Sequence, residues 1–405
     1  MTRIAMGLLV LLACGEAPGP DPDFGLAFEP IDTDVTLTAI TDFRFIPDSD
    51  ELLVLDKAGT IHHMRIDGDD AASLGSLRVP GVYSELDCGL ISIALDPDFM
   101  RNRYVYIGMC IDLTSSAIMR LTFAADDLDG VASTAVEILR AGDILADRPW
   151  HNIGAMGFEP SGVMWALLGD KNVRGNGQSA DDTLGSVVRI VPSRDPDRGG
   201  HEPAPDNPGV GAAEPHDDVA AMGLRSPWRG AMDSSGRLWI GDVGAEAFEE
   251  INVLDRLGTN FGWALHEGQC NAQATACAGL TDPVVQWPHE GGFDYLDQDA
   301  LVTTSVSRAA WVGVEHVAVG QDPYDGRLEG HMLFGDFCLG FVRGLALGDT
   351  GAVVSDVALG HLAHASAWAQ GTDGYLYAST FGSCDTTALT SDEPPIGRLW
   401  RAVPN

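Results

Sequence analysis

A polar turn carrying Pro, Asp or Gly, followed by a short apolar strand that often closes on Gly-Asp, occurs six times along this chain. The turns are Pro47 to Asp50, Asp96 to Asp98, Glu159 to Gly162, Asp233 to Gly236, Tyr324 to Gly326 and Thr372 to Gly374. The strands they introduce read LLVLD, YVYIG, VMWALLGD, RLWIGD, HMLFGD and YLYAST. One small β-unit of this kind cannot bury its apolar face alone, so the copies must stack on one another. Long amphipathic helical periods are absent, and alternating β-branched and aromatic residues dominate. The expected fold is all-β, a six-bladed β-propeller with one repeat per blade. An unpaired sheet edge invites aggregation, so the ring is expected to close by pairing Val35 to Ile40 with Arg398 to Val403. The repeats are unequally spaced, which places insertions at Asp170 to Gly185, extending through Asp218, and at Gln269 to Ser307. Both are rich in Gly, Asp and Pro and are expected to rim or cover the central pocket.

The first 13 residues hold one basic residue, Arg3, and then an apolar run from Ile4 to Ala13, too short to span a bilayer and of the length of a secretion signal. The Leu11-Leu12-Ala13-Cys14 ending resembles a bacterial lipobox, which implies lipidation of Cys14. A plainly cleaved signal, or an untranslocated start, is the alternative. Residues 14–32 are expected to be a flexible, proline-rich tether, and 33–405 the six-bladed propeller. These features predict a protein secreted across the inner membrane and lipid-anchored in the periplasm, the outer membrane or at the cell surface. A formal net charge of −35 repels phosphates and argues against nucleic acid and anionic lipid as partners. Membrane contact is then expected only through the lipid.

Seven cysteines become six once Cys14 is set aside. Cys88 and Cys110 flank a hairpin whose midpoint falls in the turn at Asp96 to Arg103, so they are expected to face each other across paired strands, within disulfide reach. Cys270 and Cys277 bracket a short polar loop, and Cys338 and Cys384 remain. Other pairings stay open. An even number fits an oxidising compartment, and no Cys-x-x-Cys or His-x-x-x-His spacing supports zinc.

The stretch from Gly223 to Gly268 orders several constrained features. They are an Arg225-Ser226-Pro227-Trp228-Arg229 turn, the strand Leu238 to Ile240, a Gly-Asp-Val-Gly exit, the Glu249-Glu250 pair and Asn260-Phe261-Gly262-Trp263. Together with Trp150-His151-Asn152-Ile153-Gly154 and the strand ending in Asp170, this resembles the glucose/sorbosone dehydrogenase family of quinoproteins. These are soluble six-bladed propellers that oxidise sugars with pyrroloquinoline quinone (PQQ) and calcium. The resemblance implies a small sugar substrate and an external electron acceptor. It makes His151 the general base, a role a neutral imidazole can fill near pH 7, and Asp170 the carboxylate that orients it. Arg225 then lies against the quinone, with Ser226 beside it where the family usually has Asn. The backbone carbonyls of Gly244 and Ala245 hold catalytic calcium, for which carbonyl oxygen is a suitable hard ligand, and Glu250 matches a structural calcium ligand.

Other positions depart from the family. PQQ is a tricarboxylate, and relatives clamp it with a lysine and arginines from the last two blades. Cys338 stands at the lysine position, and His364 and Ser366 stand near the arginine positions. Asp87 replaces a cofactor-contacting glutamine and would repel the cofactor. The chain has only two lysines, Lys57 and Lys171, and neither lies in those blades. Removing several charge-assisted contacts at about 1.5–3 kcal/mol each weakens binding by orders of magnitude. Arg174, Arg308 and Arg343 are the cations that loops would have to bring in instead. The Gly-Asp-Phe-Cys-x-Gly variant at Gly335 to Gly340 resembles the hedgehog-interacting-protein-like branch of the family.

Three readings follow. The first is a PQQ- and calcium-dependent sugar dehydrogenase that passes hydride from a sugar hydroxyl to the quinone. The second is a non-catalytic extracytoplasmic propeller that binds a carbohydrate or a protein. The third is a calcium-dependent lactone hydrolase.

Overall fold

The computed structural model describes residues 24–142, 149–270, 277–291, 307–385 and 394–405. The proposed leader, the lipidation residue Cys14 and much of the Gln269 to Ser307 insertion lie outside the described residues. Among those described, no helix is long and apolar enough to cross a membrane.

The fold is all-β and propeller-like, built from antiparallel meanders. The first runs through Ile40–Phe45, Glu51–Asp56, Thr60–Asp67 and Asp70–Arg78, and the second through Leu90–Leu95, Tyr104–Cys110, Ser115–Thr122 and Val136–Gly142. The third comprises Ile153–Phe158, Met164–Leu168, Ser186–Pro192 and Val219–Met222, with two short strands appended. The fourth uses Pro227–Met232, Leu238–Asp242, Phe248–Leu254 and Val285–Pro288. Ala310–Glu315, Met332–Asp336, Phe341–Leu347 and Val353–His361 make the fifth. The sixth joins Ala365–Gln370, Leu376–Thr380 and Arg398–Pro404 to a strand from the start of the chain, Leu26–Thr33. Each polar turn singled out in the sequence joins the first and second strands of one meander, where Asp, Gly and Pro supply the turn geometry.

The first strand of every meander contacts the first strands of the meanders before and after it, and that of the sixth contacts that of the first. The apolar faces of neighbouring sheets meet between them. Trp311 stacks on Trp368 at 5.4 Å, Tyr106 meets Phe158 at 5.2 Å and Phe45 meets Tyr377 at 5.2 Å. Burying such side chains contributes roughly 1.5–3 kcal/mol each, so the core is a series of layers rather than one centre.

Two expectations need correction. The closing strand is Leu26–Thr33, paired antiparallel with Arg398–Pro404 from Leu26↔Pro404 to Ile31↔Leu399. It lies upstream of Val35 to Ile40, inside the stretch read as tether. Pro30 and the acidic residues Glu29 and Asp32 weaken its strand signal, while the buried Leu26 and Ile31 anchor it. Near Thr38 the described residues form an isolated bridge to Ile396 rather than a strand pairing.

The second correction concerns Cys88 and Cys110. Disulfides join Cys270 to Cys277 and Cys338 to Cys384, but Cys88 and Cys110 are buried free thiols. An irregularity between Leu90 and Ser92 shifts the hairpin register, so Leu90 faces Met109 and the Cys110 amide donates to Gly89 rather than meeting residue 88. One extra residue in a strand displaces every pairing beyond it. The two thiols hydrogen-bond instead, which, together with burial, holds the Cys88 thiol well above its usual range. Protein starting at Glu16 is expected to release two titratable thiols on denaturation without reductant. A count of zero would show that the pair is oxidised.

Candidate active site

A cavity of about 220 Å³ lies on the axis of the ring. Thr41, Ile91, Ile153, Trp228, Ala309 and Ser366 line it, so each meander contributes from its first strand or the residue just before it. His151, Ser226 and Asp87 line it as well.

His151 is 8 % exposed, and its Nδ1 lies 2.6 Å from Asp170 Oδ1. Asp170 closes the strand that pairs with Ile153–Phe158, so the hairpin register brings the two side chains together. Gly169 permits this approach, because a Cβ there would collide with the His151 carbonyl. His151, Lys171 and Asn172 all have positive φ (51°, 56° and 56°), a conformation non-glycine residues adopt mainly where the surroundings enforce it. Asp170 Oδ1 also accepts from the Asn172 amide at 2.7 Å, and Oδ2 accepts from the Trp263 indole at 2.8 Å. A carboxylate held at three points fixes the imidazole's orientation and makes Nδ1 the donor, which leaves Nε2 as the basic nitrogen.

Trp263, the last residue of the Asn260-Phe261-Gly262-Trp263 motif, takes a role that the motif alone does not reveal. Its ring lies 4.6 Å from the Arg174 guanidinium and 5.6 Å from that of Arg225. Gln178 donates to its carbonyl at 2.5 Å, so the 170–185 insertion packs against this segment. Arg225 is directed to the Val243 carbonyl at 2.8 Å and to the Trp263 face rather than lining the cavity. The amides of Arg225 and Ser226 both donate to Asp242. Trp263→Phe keeps the ring and removes the N–H. Asp170 then loses one of its three fixed hydrogen-bond partners, and the imidazole one restraint on its orientation. A fall of about tenfold in kcat for dye reduction is expected; an unchanged kcat would make Trp263 a packing residue only.

Around Gly244 and Ala245 the backbone folds over a carboxylate. Glu267 Oε1 accepts from the amides of Ala245, Glu246, Ala247 and Phe248 at 2.7–3.2 Å. Burial opposes its ionisation, but these donors outweigh it and hold Glu267 below the usual carboxylate range. Glu249 binds His289 at 2.6 Å and the Ala310 amide at 2.7 Å. Burial pushes Glu250 up to about 7, and its two oxygens are engaged by Gly268 and Asn252. Burial, and then the charge of Glu250, raise Asp242 well above its ordinary value. Among the described residues, no three His, Cys, Asp or Glu side chains are arranged to hold a metal ion. A hard cation here would have to rely on backbone carbonyls, which Gly244 and Ala245 have.

Cys338 is locked to Cys384 and braces Phe337 and Phe381, which line the cavity with ring centroids 6.1 Å apart. Burial and then His361 lower the pKa of His364, which keeps it uncharged at neutral pH, and Ser366 bonds Ser379 at 2.9 Å. Of the cations considered as replacements, Arg343 pairs with Asp356, and Arg174 lies on Trp263. Arg308 donates to the Gly291 carbonyl. The cavity's cations are ones the sequence reading passed over, Lys57 and Arg229. Arg229 is 5 % exposed and donates to carbonyls of Thr41, Ile91 and Ser366 from three other meanders, besides that of Trp228.

The scaffold is propeller-like and all-β, with a histidine–aspartate pair opening on an axial cavity. The chain belongs to the Glucose / Sorbosone dehydrogenase family, whose model matches residues 37–299. It is 26 % identical over 282 residues to Aldose sugar dehydrogenase YliI of Escherichia coli, covering 63 % of this chain and 70 % of that protein. HIPL1 protein of Arabidopsis thaliana is 29 % identical over 133 residues, 29 % of this chain and 19 % of that much longer relative. In fold the chain is similar to the PQQ-bound aldose sugar dehydrogenase of Streptomyces coelicolor, with a TM-score of 0.72 at 21 % identity, covering 96 % of this chain and 100 % of that one. The apo-form E. coli aldose sugar dehydrogenase matches with a TM-score of 0.70 at 21 % identity, covering 94 % and 100 %.

Proposed function

We propose that the chain is a six-bladed β-propeller acting as a PQQ- and calcium-dependent sugar dehydrogenase. The observation that carries this reading is the His151–Asp170–Trp263 relay opening on the axial cavity. The aromatic walls formed by Trp228, Phe337 and Phe381, with Lys57 and Arg229, suit a planar anionic group. When bound, PQQ supplies a two-electron acceptor carbon that takes hydride from the sugar. His151 Nε2 takes the hydroxyl proton, and Asp170, held by Trp263 and Asn172, stabilises the imidazolium through Nδ1–H. Ser226 and Asp87, which line the cavity, are the further cofactor-side residues; Arg225 serves the cofactor only if it leaves the Val243 carbonyl and the Trp263 face, and the Gly244 and Ala245 carbonyls are the calcium donors. Glu250 serves calcium only if it exchanges its Gly268 and Asn252 donors. An external acceptor takes the electrons, and export with lipidation at Cys14 places the reaction outside the cytoplasm.

Titrating protein starting at Glu16 with PQQ, with and without calcium, followed by dye reduction on a panel of aldoses, tests this. Calcium-dependent binding and sugar-driven turnover support it; no binding at high micromolar PQQ overturns it. The cation-poor fifth and sixth meanders favour a second reading, a propeller that recognises a carbohydrate or protein without chemistry. In that case His151→Ala leaves function intact.

A further inference from the structure

The chain has two lysines in 405 residues, and both are buried beside the axial cavity. Lys57 is 2 % exposed and lines the cavity. Its ammonium donates to the Leu86 carbonyl, next to Asp87. Lys171 is 1 % exposed and donates to Asn152 Oδ1, on the cavity wall. Burying an ammonium is costly because the charge loses its hydration, and that burden lowers the pKa of Lys57 despite the opposing field of Asp87. In a chain of net charge −35, placing every lysine here concentrates positive charge where the rest of the molecule is negative. Arg229 adds a third cation whose four described hydrogen bonds all go to neutral carbonyls. Asp87 cancels one of these charges, so Lys57 and Arg229 leave the cavity lining net positive. The fifth and sixth meanders bring Phe337 and Phe381 to the cavity, with no fixed cation at Cys338, His364 or Ser366.

We propose that Lys57, backed by the field of Arg229, is a carboxylate-binding subsite. It draws a planar aromatic polycarboxylate toward the first and second meanders instead of the fifth and sixth. This rests on the quinoprotein reading for the identity of the ligand, but the anion site stands on its own geometry. Lys57 supplies charge-assisted hydrogen bonds, and Asp87 limits affinity.

Protein labelled with 13C-lysine gives only two ε-CH2 signals, assigned with Lys57→Gln and Lys171→Gln, and is titrated with PQQ in calcium and separately with benzene-1,2,4-tricarboxylate. The expected result is a saturable shift of the Lys57 signal and a Kd for PQQ raised about 10- to 100-fold in Lys57→Gln. Asp87→Asn should bind several-fold more tightly. PQQ binding with an unmoved Lys57 signal and an unchanged Kd in Lys57→Gln overturns the subsite while leaving the dehydrogenase reading intact. A Lys57 shift with the tricarboxylate but no PQQ binding upholds the subsite and overturns the quinone. If neither anion moves the signal, the subsite falls. Should Lys57→Gln not fold, the wild-type titration and Asp87→Asn decide.

Discussion

His151→Gln is expected to lower sugar-driven dye reduction by about 10²–10⁴-fold, the usual worth of a positioned general base, while the Kd for PQQ changes by less than about threefold. The expectation follows from the geometry: Nδ1 is occupied by Asp170 at 2.6 Å and the ring lines the cavity. Gln keeps the volume and polarity of the side chain without a titrating nitrogen. Asp170→Asn should reproduce much of the loss, because an amide that donates to Nδ1 forces the proton onto Nε2 and removes the base. Stopped-flow reduction of PQQ-loaded protein at saturating sugar is the measurement. Undiminished single-turnover rates in His151→Gln would remove His151 from the chemistry.

Arg229→Met should have the largest effect on stability. Its guanidinium ties the first strands of the first, second and sixth meanders to its own. Burial lowers its pKa only to about 10, so it stays charged at neutral pH. Removing it takes a donor from each of four carbonyls at about 1 kcal/mol each, and a fall in Tm on the order of 5–10 °C follows for a chain of this size. Differential scanning calorimetry of the variant and the wild type tests it. An unchanged Tm would mean that water replaces the guanidinium at no cost.

The fold was largely legible in the sequence. All the repeat turns sit between the first and second strands of meanders, because Asp, Gly and Pro dictate turn geometry from neighbouring residues alone. The His151–Asp170 pair was legible for a similar reason, since a single hairpin register joins the two residues. The closing strand was less so: Pro30 and two acidic residues mask a strand whose pairing partner lies at the other end of the chain. The free thiols Cys88 and Cys110 were misread because a strand irregularity has no clear sequence signal. Trp263 and Arg229 stood in motifs already singled out, yet their partners lie 93 and up to 188 residues away. For Lys57 and Lys171 a usable signal did exist, the scarcity of lysine itself.

Patterns that neighbours in sequence enforce, the all-β repeat, its turns and the residue types able to take a proton, are properties of the chain as written. Which cations face the axial cavity, which cysteines remain thiols and what holds Asp170 against His151 depend on closing the ring. Only then do side chains from separate meanders share one low-dielectric space, where burial and distance set their chemistry.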